Sequence, residues 1–208
     1  MFEALIAKIQ SELEKPLPGW EAQFKMAPSV RPRVEDDALW LKNAIPAGVL
    51  VHLFPVENKP HLVLMERNKY PGVHSGQISF PGGKHEESDH SLEHTAIREA
   101  EEEVGILSGH VQVLREMTKL YIPPSNFLVT PILSFSELKP KFIREEAEVQ
   151  QILEVELDYL FHHDQKGEKE ITVRENVSFE TPYYDVFGHT VWGATAMMLS
   201  ELEALVNP

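Results

Sequence analysis

The sequence contains no cysteine, which excludes disulfides, zinc-thiolate centres, thiol nucleophiles and redox dithiols together. Basic residues are scarce as well: 19 Lys and Arg stand against 33 Asp and Glu, for a formal net charge of -14. A surface this acidic repels phosphate backbones, so no nucleic-acid partner is expected. An anionic substrate would need a mediating cation. No segment approaches the roughly twenty apolar residues of a membrane helix, and the opening "MFEALIAKIQSELEK" has no basic stretch followed by an apolar block. The expectation is a cytoplasmic protein with no membrane partner.

What is present is ordinary for a globular protein: 208 residues, 42% apolar and 25% charged. That length suits one well-buried core with extensions. Residues 1–43 read as an N-terminal helix and connector packed on the core, and 44–208 as the main domain. Phe2, Leu5, Ile6, Ile9 and Leu13 follow helical spacing, which predicts a helix over residues 2–14. The proline-rich "KPLPGWEAQFKMAPSVRPRVEDD" that follows has no period.

From residue 44 onward the pattern alternates. "AGVLVHLF" and "HLVLMER" predict strands around the turn "PVENKP", and "GQISFP" predicts a short strand ending at Pro81, Gly82 and Gly83. A polar loop then leads to a helix over residues 91–104, with Ser91 as N-cap and His94 at the capping-box position. "HVQVLREMTKLYI" and "FLVTPILSF" predict two strands flanking "PPSN". A helix is predicted over residues 145–153. "EITVREN", "VSFETPYYDVF" and "HTVWG" read as an antiparallel excursion with a turn near Gly188. The apolar spacing of Ala194, Met197, Met198, Leu202 and Leu205 predicts a terminal core helix.

One stretch stands apart. "REAEEEVGI", residues 98–106, holds four glutamates within five positions. They crowd a helix C-terminus, where the macrodipole already disfavours negative charge. Leu92, Ala96, Ile97, Ala100 and Val104 form the apolar stripe, while Glu99, Glu102 and Glu103 are spaced i, i+3 and i+4 and are expected to project together. Glu101 points elsewhere, into solvent. Three such carboxylates carry more negative charge than Arg98 neutralises. A hard divalent cation resolves the repulsion, and magnesium suits carboxylates combined with substrate phosphates. Gly82 and Gly83 supply a turn through which the backbone approaches an ion or phosphate closely.

These residues carry a resemblance. "GGKHEESDHSLEHTAIREAEEEVGI", residues 82–106, resembles the Nudix box, in which a glycine is followed by a glutamate, then Arg-Glu, Glu-Glu and a final glycine at set spacings. The second half matches at every defined position, with Ala100 as the apolar one. In the first half Asp89 stands at the glutamate position, and eight residues rather than seven separate it from Arg98. The preceding "LVLMERNKYPGVHSGQISFPGG" is similar to the motif of coenzyme A pyrophosphatases within this superfamily. Arg67, Gly76, Phe80, Pro81, Gly82 and Gly83 stand where that motif has them. Met65, Asn68 and Gly72 depart from a usual Thr, Ser/Ala and Arg, and the last departure bears on substrate identity because an arginine is a natural phosphate contact.

The resemblance implies an α/β Nudix fold, a mixed β-sheet sandwiched between α-helices. It implies hydrolysis of a nucleoside diphosphate linked to another moiety, with Mg2+, or alternatively Mn2+, as cofactor. Coenzyme A or acyl-CoA, cleaved to 3',5'-ADP and (acyl)phosphopantetheine, is the expected substrate. The rival substrates are ADP-ribose, NADH and dinucleoside polyphosphates, and the rival function is a non-catalytic nucleotide-binding regulatory domain. Glu102 and Glu103 are implied as metal ligands with the Gly82 carbonyl nearby, Glu99 as ligand or base, and Arg98 as their orienting partner. Arg67, Gly83, Lys84 and Glu148 are the candidate substrate contacts, with solvated readings open for Lys84 and Glu148. His74 and His85 flank the site, where they read either as phosphate contacts or titrating groups or, more often, as structural or solvated residues. Ser125 and Asn126 read as substrate contacts or, by preference, as turn formers. A homodimer is the remaining expectation.

Overall fold

β-Branched and aliphatic residues crowd the stretch from Ile45 to Arg67, and the chain there forms two long antiparallel strands, β1 (Ile45–Val56) and β2 (Lys59–Arg67). The two residues between them, Glu57 and Asn58, both take positive φ, 50° and 61°, as a tight hairpin turn requires. The computed structural model describes residues 1–31, 39–69, 74–173 and 177–207.

Around this hairpin grows a mixed sheet in the order β3-β2-β1-β7-β5, where β3 is Ile78–Ser79, β5 Gln112–Glu116 and β7 Phe127–Phe135. Three more strands attach: β4 (Gly82–Lys84) beside β1, β6 (Leu120–Ile122) beside β7 and β8 (Val149–Glu156) beside β2. β1 and β7 run parallel. A separate antiparallel sheet joins β9 (Lys166–Thr172), β10 (Ser178–Val186) and β11 (His189–Trp192).

Alternate side chains of β1 face opposite cores. Leu50 and Phe54 join Ala96, Ala100 and Val104 of the helix α3 (Leu92–Val104). Val51 and Leu53 join Phe2, Ile6 and Ile9 of α1 (Phe2–Ser11) and Ala196, Met197 and Leu202 of α5 (Gly193–Val206). Two short helices, α2 (Gly19–Gln23) and α4 (Leu157–Leu160), lie between these elements in the chain. The expected sandwich of a mixed sheet between helices is therefore the observed fold. Among the described residues, no helix is long and apolar enough to cross a membrane.

Four local expectations differ. The predicted helix over residues 145–153 is a turn followed by β8, which covers the edge of β2. Its glutamates favour helix locally, but Val149, Leu153 and Val155 are buried where β2 needs a partner, and tertiary pairing overrides propensity. The single strand expected over residues 110–122 breaks between β5 and β6. Pro131 of β7 lies opposite the break, and without an N–H it cannot continue the ladder. The first helix stops at Ser11 rather than residue 14, although Leu13 still packs on the core. The terminal helix is buried well beyond one stripe: Thr195, Ser200 and Glu201 are buried with the apolar residues. Each finds partners, Thr195 donating to the Ile78 carbonyl, Ser200 to that of Ala22, and Glu201 accepting from Gln23 and Thr118.

His52 on β1 is fully buried, its ring nitrogens 2.9 and 3.1 Å from the Ser134 and Ser136 hydroxyls. Burial pushes its pKa down from 6.5 to about 3. As pH falls below 6.5 the unfolded chain binds a proton that the folded chain refuses, so stability declines until about pH 3. By equilibrium denaturation, this one group is expected to remove about 2 kcal/mol between pH 6.5 and about pH 5. His52→Gln should lose less by that amount, and an unchanged pH slope would exclude His52 as the cause.

Candidate active site

The site begins with a helix laid directly on a strand. A Cβ at Gly48 of β1 would come within 2.4 Å of the Leu92 carbonyl, so only glycine admits α3 at this distance. Ser91 caps the helix, its Oγ accepting the His94 N–H at 3.1 Å, and Gly105 closes the other end in the left-handed conformation. Both caps fall where the sequence places them. Glu101 is exposed as expected, and its carboxylate also accepts the Ser108 N–H at 3.0 Å.

Gly82 and Gly83 form β4 against Val49 and Gly48. Gly82 has φ +150°, and a Cβ there would lie 2.4 Å from the Gly48 carbonyl oxygen. A Cβ at Gly83 would lie 2.5 Å from the Glu99 carboxylate. The glycine turn and the acidic helix therefore meet, as the spacing implied.

The glutamates do not converge on a single point. Glu103 is buried and turns toward the sheet, accepting the Gly82 N–H at 2.8 Å and pairing with Arg67 at 3.2 Å. Glu99 and Glu102 both reach Arg98 Nη1, at 3.0 and 3.1 Å, with the Glu102 side chain 59% exposed. Like charges repel, so Glu103 takes its own donors on the sheet side while Glu99 and Glu102 share Arg98. Among the described residues, a group of three potential ligand atoms all within 4.8 Å of one another is found at the exposed His162, His163 and Asp164.

Charge and burial set the electrostatics. Burial pushes Glu103 up to about 7, against the opposing pull of Arg67 and the Gly82 amide, and Glu99 and Glu148 push it further. Glu99 is also raised, first by its burial, with Arg98 opposing. A cluster of oxygen donors held partly buried with too little positive charge is the environment that a hard divalent cation neutralises.

Asp89 holds this arrangement in place. Its side chain is fully buried and forms a two-pronged pair with Arg98, Nε to Oδ1 at 2.9 Å and Nη2 to Oδ2 at 3.0 Å. It also accepts from the Glu86 N–H and Thr95 hydroxyl, and its Oδ1 lies 2.9 Å from His94 Nδ1. The Arg98 guanidinium holds Asp89 well below the usual carboxylate range, and Asp89 in turn raises Arg98. The longer spacing to Arg98 thus leaves the ion pair intact. Helical spacing does not mark Thr95 as part of the site; for Asp89 the available signal is an acidic residue at the box position.

The remaining candidates are distributed around this core. Arg67 stands at a β-bulge between β2 and β8, which re-aims its side chain. Lys84 is exposed, with its carbonyl 3.5 Å from Arg98 Nη2. Glu148 lies in the turn before β8 rather than on a helix, close enough to act electrostatically on Glu99 and Glu103. His85 binds Thr95 at 3.0 Å and His74 binds Gln77 at 3.0 Å, both structural contacts. Asn126 takes positive φ in its turn, accepts from Tyr121 and donates to the Asn43 carbonyl. Gly72 lies outside the described residues.

The NUDIX domain matches residues 45–180, more than half of the chain. The chain belongs to the Nudix family. Over 191 residues it is 32% identical to a Nudix hydrolase, NudL, of Pectobacterium atrosepticum, covering 89% of this chain and 91% of that protein. Over 164 residues it is 29% identical to the mitochondrial coenzyme A diphosphatase NUDT8 of Homo sapiens, covering 78% of this chain and 70% of that protein. A MutT/nudix family protein from Enterococcus faecalis superposes with a TM-score of 0.48 at 15% identity, over 94% of this chain and 71% of the other. The protein is a Nudix pyrophosphohydrolase, and such enzymes act on small nucleoside diphosphate compounds with a divalent metal.

The Asp89 pair is testable. Asp89→Asn removes the charge but keeps the shape, leaving Arg98 without its main buried partner. The variant is expected to lose roughly 3 kcal/mol in urea denaturation, together with Nudix activity. A loss below about 1 kcal/mol, the usual value of an exposed pair, would show that Asp89 does not fix Arg98.

Proposed function

We propose that this Nudix pyrophosphohydrolase cleaves coenzyme A or an acyl derivative to 3',5'-ADP and (acyl)phosphopantetheine, with magnesium as its metal. The observation that carries the reading is that Glu103 and Arg67 join the acidic face of α3 to an open cleft of about 1020 Å³. That volume is at the upper end of the roughly 300–1,000 Å³ of small-molecule sites, which suits a nucleotide carrying a long arm. The coenzyme A choice is supported by the likeness of residues 62–83 to the coenzyme A pyrophosphatase motif and by similarity to a human coenzyme A diphosphatase.

Glu102 and Glu103 would hold the metal with the Gly82 carbonyl, and Glu148 offers a further carboxylate. When bound, the metal neutralises the diphosphate and lowers the pKa of an attacking water. Glu99, its pKa raised by burial, would accept a proton from the attacking water on its carboxylate, while the water oxygen bonds to phosphorus and the anhydride oxygen leaves on the other phosphate. Arg98, anchored on Asp89, keeps Glu99 and Glu102 oriented. Arg67 and the Gly82 amide hold Glu103 in its inward rotamer, and Gly83 leaves room for Glu99 beside the backbone. Gly83 and Lys84 lie next to Glu99 and Arg98, where a diphosphate oxygen would approach.

Two measurements test this. Incubation with magnesium and an equimolar mixture of coenzyme A, ADP-ribose, NADH and diadenosine polyphosphates should release 3',5'-ADP and phosphopantetheine first, by mass spectrometry. AMP with coenzyme A untouched would discard the coenzyme A reading and keep the Nudix chemistry. Separately, Glu102→Gln should lower turnover by at least about a hundredfold with no fall in melting temperature, because its side chain in the pair with Arg98 is 59% exposed. A fully active variant would remove Glu102 from the metal site.

A further inference from the structure

The cleft extends past the acidic helix along two walls. One continues β2 through Arg67, Asn68 and Lys69; the other is the turn before β8, from Arg144 through Glu146 to Glu148. Asn68 ties them together, its N–H donating to the Glu148 carbonyl at 2.8 Å and its side-chain amide to the Glu146 carbonyl at 2.9 Å. A serine or alanine at position 68 is too short to make the second bond. The walls are therefore held at a set separation beside the site, and Arg67 and Glu148 mark the end that borders the glutamates.

Beyond that end the cleft carries two cations that are not held in a close, buried ion pair. Lys69 is exposed and makes no ion pair or hydrogen bond among the described residues. Arg144 is oriented by a hydrogen bond to the Gln150 carbonyl, and its other terminal nitrogen lies 3.6 Å from Glu146, whose side chain is 84% exposed. A pair this open to water contributes little, so Arg144 can exchange it for a better anion at small cost. Arg67, the third cation of the cleft, is already committed to Glu103. Of the acidic lining residues, Glu148 acts on the glutamates, Glu146 is the loose partner and Glu66 stays on β2.

We propose that Lys69 and Arg144 form a subsite for a phosphate monoester carried by the substrate apart from its diphosphate. This rests on the coenzyme A reading, because the ribose 3'-phosphate is the group of that substrate that fits the description. A phosphate dianion matches a planar guanidinium on one wall and a point-charge ammonium on the other. The metal-facing glutamates take the diphosphate, and this pair selects for what is attached to the nucleoside.

The test compares kcat/KM for coenzyme A and dephospho-coenzyme A in the wild type, Lys69→Met, Arg144→Met and the double variant. The wild type should favour the phosphorylated substrate by roughly tenfold or more, with the difference in KM. In the double variant the ratio should fall to within about threefold of unity, at an unchanged melting temperature, since both side chains are solvent-facing. Product inhibition by 3',5'-ADP, set against 5'-AMP, should lose the same preference. A wild type that does not discriminate, or variants that slow both substrates equally, would overturn the subsite alone. If ADP-ribose is cleaved and coenzyme A is not, the substrate reading falls and the subsite falls with it.

Discussion

The buried carboxylate of Glu103 is the constraint on which the site depends. One oxygen accepts the Gly82 amide and the other pairs with Arg67, so a single side chain of α3 is tied to β4 and β2. Burying a carboxylate is costly unless it is bonded on every side. Here two donors offset only part of the cost, and the group sits at about 7, well above an ordinary glutamate. That residual charge frustration lies where helix, glycine turn and sheet meet.

A second anchor works from the other end of the same helix. Asp89 gathers Arg98, Thr95, His94 and the Glu86 amide around one buried carboxylate. Its pair with Arg98 sets the guanidinium that Glu99 and Glu102 share. The helix is thus clamped between two acidic residues of opposite character: Asp89, whose charge is fully compensated, and Glu103, whose charge is not. Compensation keeps the first ionised and structural, whereas the deficit around the second favours a cation.

The cleft shows how a departure from a family pattern acquires a physical reason. Asn68 stands where a small residue is usual, and its longer amide bridges to the turn before β8. That bond exists because β8 lies along β2, which also sets Glu148 and Arg144 on the facing wall. A bulge at Arg67 in the same strand pair turns its side chain toward Glu103. Arg67, Arg144 and Glu148 are therefore positioned by one strand pairing.

Several features of the site were legible in the sequence because they are periodic or local. The acidic face of α3 follows from spacing, the caps at Ser91 and Gly105 from residue type, and the meeting of Gly82 and Gly83 with Glu99 from the box. The β1–β2 hairpin followed from its apolar runs and turn residues. Other features depended on partners distant in the chain. Residues 145–153 carry helix-favouring glutamates, and only the open edge of β2 made most of them a strand. Pro131 broke the strand pairing at a point that no local pattern in residues 110–122 marks. The sequence by itself determined which side chains α3 presents, since helical geometry is a property of neighbouring residues. The direction each carboxylate finally takes, inward to Arg67 and Gly82 or outward to Arg98, was decided only by the tertiary structure, because hydrogen-bond donors far apart in sequence compete for them in space.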